Sequence, residues 1–102
     1  MPASLPAEIL RIHISEADRF QGKPLYEAIV ARCRELQIAG ATVFRGLEGY
    51  GEHAELHKRP IIVTVVDTAA NIARLIPELA GIIDTGMMAR SPVDMVRVRK
   101  TA

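Results

Sequence analysis

Between Gly40 and Gly51 the chain reads GATVFRGLEGYG, a strand-forming run (Thr42, Val43, Phe44) that ends in Gly46, Gly49 and Gly51. Glycine tolerates positive φ and lets other groups come close to the backbone, so a glycine-studded exit from a buried strand can turn its amides toward an anion. A plain hairpin turn uses glycine too. Farther on, Arg97 and Arg99 stand two apart in RVRKT. Alternation along a strand puts both on one face, and guanidinium forks match phosphate oxygens. The same pair equally suits an edge strand on which solvent-facing arginines block aggregation. His53 and His57 are four apart in HAELH, beside Glu52 and Glu55. On a helix that spacing puts both imidazoles on one face, as a metal site needs. Ala54 stands where the zinc-protease motif has its glutamate, and two ligands are too few for a closed zinc site, so a polar loop with two unconnected histidines is the plainer reading. No Ser/His/Asp or Cys/His set is evident, and Glu16 and Asp18 in SEADRF read as solvated loop acids, with Asp18 and Arg19 stabilising the turn. The chain does not read as an enzyme.

The elements that must position these residues follow from periodicity. Glu8 to Ser15 alternates, with Leu10, Ile12 and Ile14 on one side and Arg11 and His13 on the other, which predicts a half-buried strand. Pro24 suits the first turn of a helix whose buried stripe is Leu25, Ile29, Cys33 and Leu36, and Gly40 is expected to stop it. Ala41 to Leu47 is the second strand. The polar segment EHAELHKR then leads to Pro60 and a third strand, IIVTVVD, which is apolar on both faces. Asp67 or Thr68 caps a second helix with the stripe Ile72, Leu75, Ile76, Leu79 and Ile83. Pro77 predicts a kink or a frayed turn in it, and Gly86 is expected to end it. Val93 to Arg99 is the last strand. The order is that of an α+β, ferredoxin-like βαββαβ fold with a four-stranded antiparallel sheet. In such a fold both helices cover one sheet face. A third strand apolar on both sides therefore predicts that another subunit covers the second face, giving a homo-oligomer with its sheets inside.

Composition narrows the classes. At 102 residues a single domain, 1–102, is expected, with 1–7 as a loose N-terminal arm marked by Pro2 and Pro6. The formal net charge is +1, and the two Phe and two Tyr are scattered, with no Trp. That disfavours nucleic acid, which calls for a basic field and stacking platforms. Cys33 is the one cysteine, so no internal disulfide forms, in keeping with a cytoplasmic location. It lies on the apolar stripe and reads as a core residue rather than a reactive thiol. MPASLPAE does not read as a signal peptide, and no apolar run reaches membrane-spanning length, so no direct membrane insertion is expected.

The stretches GKPLYEAIVARCRELQIAGATVFRGLEGYG and PIIVTVVDTAANIARLIPEL resemble the PII-like proteins, short relatives of the nitrogen-regulatory PII signal transducers. The resemblance covers about Ile9 to Lys100. It implies a ferredoxin-like subunit, a homotrimer, and clefts between subunits that bind an adenine nucleotide or a small anion. It also implies a loop, here roughly 49–59, through which a membrane transporter or an enzyme is regulated. By the same resemblance, Gly49 and Gly51 in GYG match the turn whose backbone approaches the phosphates, and Arg97 and Arg99 match the R-x-R that faces the nucleotide.

Departures from that family shape the expectation. EHAELHKR is shorter than the usual target loop. Glu48 and Glu52 flank the turn where PII carries basic residues, and two carboxylates oppose a triphosphate. The PII stretch GDGK becomes GMMARS, with Arg90 as the candidate replacement for its lysine. AMP or ADP is therefore expected to be favoured over ATP. No cofactor is firmly implied. The alternative from a different class is a divalent-metal-binding trimer resembling the CutA ion-tolerance proteins, using His53 and His57.

Overall fold

A computed structural model of the chain describes residues 4–50, 56–57 and 59–99. Its elements in chain order are β1 (Ser4–Ser15), β2 (Arg19–Phe20), β3 (Lys23–Pro24), α1 (Leu25–Glu35), β4 (Thr42–Arg45), β5 (Gly49–Tyr50), β6 (Leu56–His57), β7 (Pro60–Asp67), α2 (Ala69–Ala80) and β8 (Met87–Val96). The four long strands form one antiparallel sheet in the order β4-β7-β1-β8. With α1 and α2 on one face, this is the expected ferredoxin-like arrangement.

Register sorts the side chains by face, because directly paired residues share one. Val43, Val63, Ile12 and Met88 make one row across the helix side, and Val65, Leu10 and Arg90 another. There the strand residues meet Leu25, Ile29 and Cys33 of α1 and Ile72, Leu75 and Leu79 of α2 in one buried core. Burial pushes the Cys33 thiol up to about 11, so it stays protonated and packs as a small apolar group. Phe44, Ile62, His13 and Met87 make a row across the opposite face, which no element of the described chain covers. Along β7 buried residues alternate with half-buried ones, so its second side, Pro60, Ile62, Thr64 and Val66, is apolar but for one threonine and yet open.

Several boundaries differ from the sequence expectation. Ser4–Ala7, expected in a loose arm, pair with Val93–Val96 and extend β1 and β8 as a two-stranded ribbon beyond Glu8, where β7 ends its pairing. Hydrogen bonding to β8 outweighs the disfavour of Pro6, whose missing N–H is tolerated away from a central position. Gly40 does not stop α1. Leu36 caps it, Gln37 takes φ 59°, and Ile38 N–H donates to Cys33 O while Gln37 N–H donates to Arg34 O, the Schellman pattern with glutamine in the left-handed position. Helix α2 runs through Pro77 and ends at Gly81, five residues before Gly86. Gly86 instead lies against β1, where a Cβ would come within 3.0 Å of His13 O. The last strand starts at Met87 rather than Val93 and ends at Val96.

Candidate functional site

The candidate residues occupy two ends of the sheet. At one end the chain leaves β1 at Ser15 and passes through a tight turn. Ser15 N–H donates to Asp18 Oδ2 at 2.8 Å, Asp18 N–H donates to Ser15 O at 3.1 Å, and Asp18 O accepts from Leu25 N–H at 2.9 Å. Asp18 thus organises the turn, as expected. Beside it, Glu16 N–H donates to Arg59 O at 3.0 Å and Gly46 N–H donates to Pro60 O at 2.7 Å. These bonds pin together the two places where the connector between β4 and β7 departs and returns.

Glycine has a narrower role at this base than the sequence suggested. Gly46 does not have positive φ, and its N–H is occupied by Pro60 O rather than turned outward. What it supplies is space, because a Cβ there would sit 2.7 Å from the Pro60 ring. Gly49 lies in β5 opposite His57. Gly51, Glu52 and His53 lie outside the described residues, so neither the GYG turn nor the histidine pair is seen whole. The backbone at His57 is extended, in β6, so the one-face helical spacing of His53 and His57 does not apply there.

Three arginines gather on the turn, and sequence reasoning missed two of them. Arg45 Nη2 donates to Glu16 Oε1 at 2.6 Å. Arg59 Nη1 lies 3.5 Å from Glu16 Oε2, an ion-pair distance, and that oxygen is buried with no hydrogen-bond donor among the described residues. Arg19 Nη1 donates to the Glu16 carbonyl at 3.3 Å. Glu16 is therefore no solvated loop acid. The available signal was positional, since Arg45 directly precedes Gly46 and Arg59 directly precedes Pro60. The loop base does carry basic residues, supplied one position outside the glycines and the proline.

The other end is the tip of the β1–β8 ribbon. Arg97 and Arg99 are exposed and lie past the end of β8, so strand alternation does not fix them on a common face. Ser4, the partner of Val96, is eleven residues from Ser15 along β1, roughly 36 Å at strand rise. Within one chain, Arg97 and Arg99 therefore do not meet Gly49. Arg90 lies between the two ends. Its Nε and Nη2 approach Glu8 Oε1 at 2.8 and 2.7 Å, so its guanidinium is already engaged by a carboxylate. A surface groove of about 500 Å³ on the outer side of α1, lined by Tyr26, Val30 and Val43 among others, includes none of these residues. No described helix is long and apolar enough to cross a membrane.

Comparison with known proteins adds to this geometry. Residues 7–95 match the family DUF190, described as "Uncharacterized ACR". A UPF0166 protein of Aquifex aeolicus (strain VF5) is 36% identical over 83 residues, covering 72% of this chain and 79% of its own. A UPF0166 protein of Methanocaldococcus jannaschii is 36% identical over 87 residues, covering 78% and 81%. Among solved structures, CPII from Thiomonas intermedia K12, a nitrogen regulatory PII-like protein bound to ADP, AMP and bicarbonate, superposes with a TM-score of 0.75. It is 15% identical, and the match covers 91% of this chain and 98% of that one. The apo form of the same protein gives 0.73 at 13% identity, covering 96% and 100%. The fold is thus that of PII-like proteins.

Proposed function

We propose the following function for this chain, which belongs to the DUF190 family: a PII-like regulatory protein, homotrimeric, that holds an adenine nucleotide or a small anion in clefts between subunits. In this reading it acts on a transporter or an enzyme from the cytoplasm and catalyses nothing itself. The observation that carries it is the match over nearly the whole chain to CPII, whose solved structure contains ADP, AMP and bicarbonate.

Two features of this chain support the reading. Phe44 and Met87, both more than half exposed, share a row with Ile62 on the uncovered sheet face, an apolar surface of the kind subunits bury. The two halves of the ligand site, Gly49 and the Arg97–Arg99 pair, lie at opposite ends of one subunit. A neighbouring subunit can unite them, with the ribbon tip of one chain set against the loop base of the next. Arginines so placed would face phosphate oxygens with paired donors. Glu48, exposed beside the turn, favours one or two phosphates over three.

Calorimetric titration of one preparation with AMP, ADP, ATP and Zn²⁺ tests the proposal. AMP or ADP should bind at least as tightly as ATP, and Arg99→Ala should weaken binding about tenfold or more, the loss of one charge-assisted hydrogen bond. No binding of any nucleotide at millimolar concentration would end the nucleotide reading. Zn²⁺ binding in its place would turn attention to His53 and His57.

A further inference from the structure

The Glu16 cluster carries an inference that requires neither the nucleotide nor the trimer. We propose that Arg45 and Arg59 form a clamp for a phosphoryl oxyanion, and that Glu16 is its resting counter-ion, exchanged when the oxyanion enters.

The side chains are layered for exchange. Glu16 is 24% exposed and lies beneath the two guanidiniums, which are 60% exposed for Arg45 and 73% for Arg59. The cations face solvent, and the anion that holds them sits below. Their backbones are held by the Glu16–Arg59 and Gly46–Pro60 hydrogen bonds, so only the side chains have to be ordered when a ligand arrives.

The resting pairing is also incomplete. A carboxylate has two oxygens and one charge. Here Oε1 takes a short hydrogen bond from Arg45, while Oε2 is buried and holds Arg59 only at 3.5 Å. Among the described residues Arg45 makes one hydrogen bond to the carboxylate and Arg59 makes none. A phosphoryl group offers three terminal oxygens and more negative charge, enough for both forks. Arg19 is also on the turn, and of its two acids Asp18 is committed to Ser15 N–H, which leaves Glu16 to face the guanidiniums. The arginine ends of these pairs face solvent, where ion pairing is weak, so the guanidiniums can turn from Glu16 toward an entering anion.

The clamp sits where the connector leaves and returns, so its occupancy reports directly on the base of that segment. Glu16 then sets a threshold: it lowers affinity for weak or singly charged anions and yields to a phosphoryl group.

Inorganic pyrophosphate is the probe, titrated calorimetrically into the full chain. Glu16→Gln, which keeps the shape and an acceptor oxygen but removes the charge, should bind it roughly three- to tenfold tighter than wild type. Arg45→Ala and Arg59→Ala should each bind it at least about tenfold more weakly. Glu16→Asp, whose shorter reach draws the carboxylate back, should fall between wild type and Glu16→Gln, and it serves if the glutamine variant does not fold. Circular dichroism spectra superimposable on wild type confirm that the fold is kept. Equal or weaker pyrophosphate binding in the charge-removed or shortened variant overturns the counter-ion role. Wild-type affinity in the two arginine variants, or no binding by wild type and Glu16→Gln alike at millimolar concentration, overturns the clamp.

Discussion

The Asp67 carboxylate accepts the backbone N–H of Ala39 at 2.8 Å, tying the turn after α1 to the start of α2. Asp67 is 6% exposed, and the same carboxylate also accepts Thr68 N–H at 2.6 Å and Asn71 Nδ2 at 2.9 Å. Burial alone would raise its pKa, but the hydrogen bonds from Ala39, Asn71 and Thr68 outweigh burial and hold it below the ordinary carboxylate range. A carboxyl depressed on folding adds stability that is complete above its unfolded value, near pH 4, and lost as pH falls through its folded value. Wild type should therefore lose stability below about pH 4. Asp67→Asn should lose about 2 kcal/mol at pH 7 and show a flatter acid limb. Urea unfolding at pH 7 and pH 3 checks this, and an acid limb as steep in the variant as in wild type would contradict it.

Gln37 has a left-handed conformation that glycine adopts without penalty. Gln37→Gly should raise stability by about 0.5–1 kcal/mol, the relief of that strain less the added freedom of the unfolded chain. The urea midpoint should rise with the slope unchanged. A lowered midpoint would mean that the glutamine side chain contributes more than the strain costs.

Gly46 and Gly40 form a matched contrast. A Cβ on Gly46 meets the Pro60 ring at 2.7 Å, whereas one on Gly40 meets nothing within 4 Å. Gly46→Ala should cost about 1–3 kcal/mol through displacement of the loop base. Gly40→Ala should be neutral or slightly stabilising. Equal melting temperatures for the two variants would refute the close-approach role of Gly46.

The proposed burial of the open sheet face between subunits predicts that Ile62→Asp breaks assembly. Ile62 sits between Phe44 and His13 in the row across that face, so the new charge would be driven into an apolar contact. Sedimentation should show about three subunit masses for wild type and one for the variant. A trimer that tolerates the aspartate must bury some other face.

Much of the fold was legible because it rests on periodicity. The alternation of Leu10, Ile12 and Ile14 and the stripes of Leu25, Ile29, Cys33 and Ile72, Leu75, Leu79 are all buried as their spacing required. The boundaries were less legible, because they depend on bonds between distant segments. Ser4–Ala7 are ordered by β8, and no local signal in SLPA announces that pairing. Gly40 drew attention as a helix stop, yet backbone bonding around Cys33 and Ile38 closed the helix three residues earlier on a glutamine. At the site, alternation suggested a shared face for Arg97 and Arg99, but the strand stops at Val96. The Glu16, Arg45 and Arg59 cluster joins three separated stretches of chain, and only the β1–β7 and β4–β7 registers bring them together.

Strand β1 runs unbroken for 12 residues from the ribbon tip to the edge of the Glu16 turn. It is paired with β8 from Ser4 to His13 and with β7 from Glu8 to Ser15, so every residue of it is held by at least one neighbouring strand. Tilting it by about 5° about Ser15 would swing Ser4 through about 3 Å. Were the sheet to tilt as one body by that angle, an adjustment where Arg45 and Arg59 grip Glu16 would reach the far end as a step comparable to the length of a hydrogen bond.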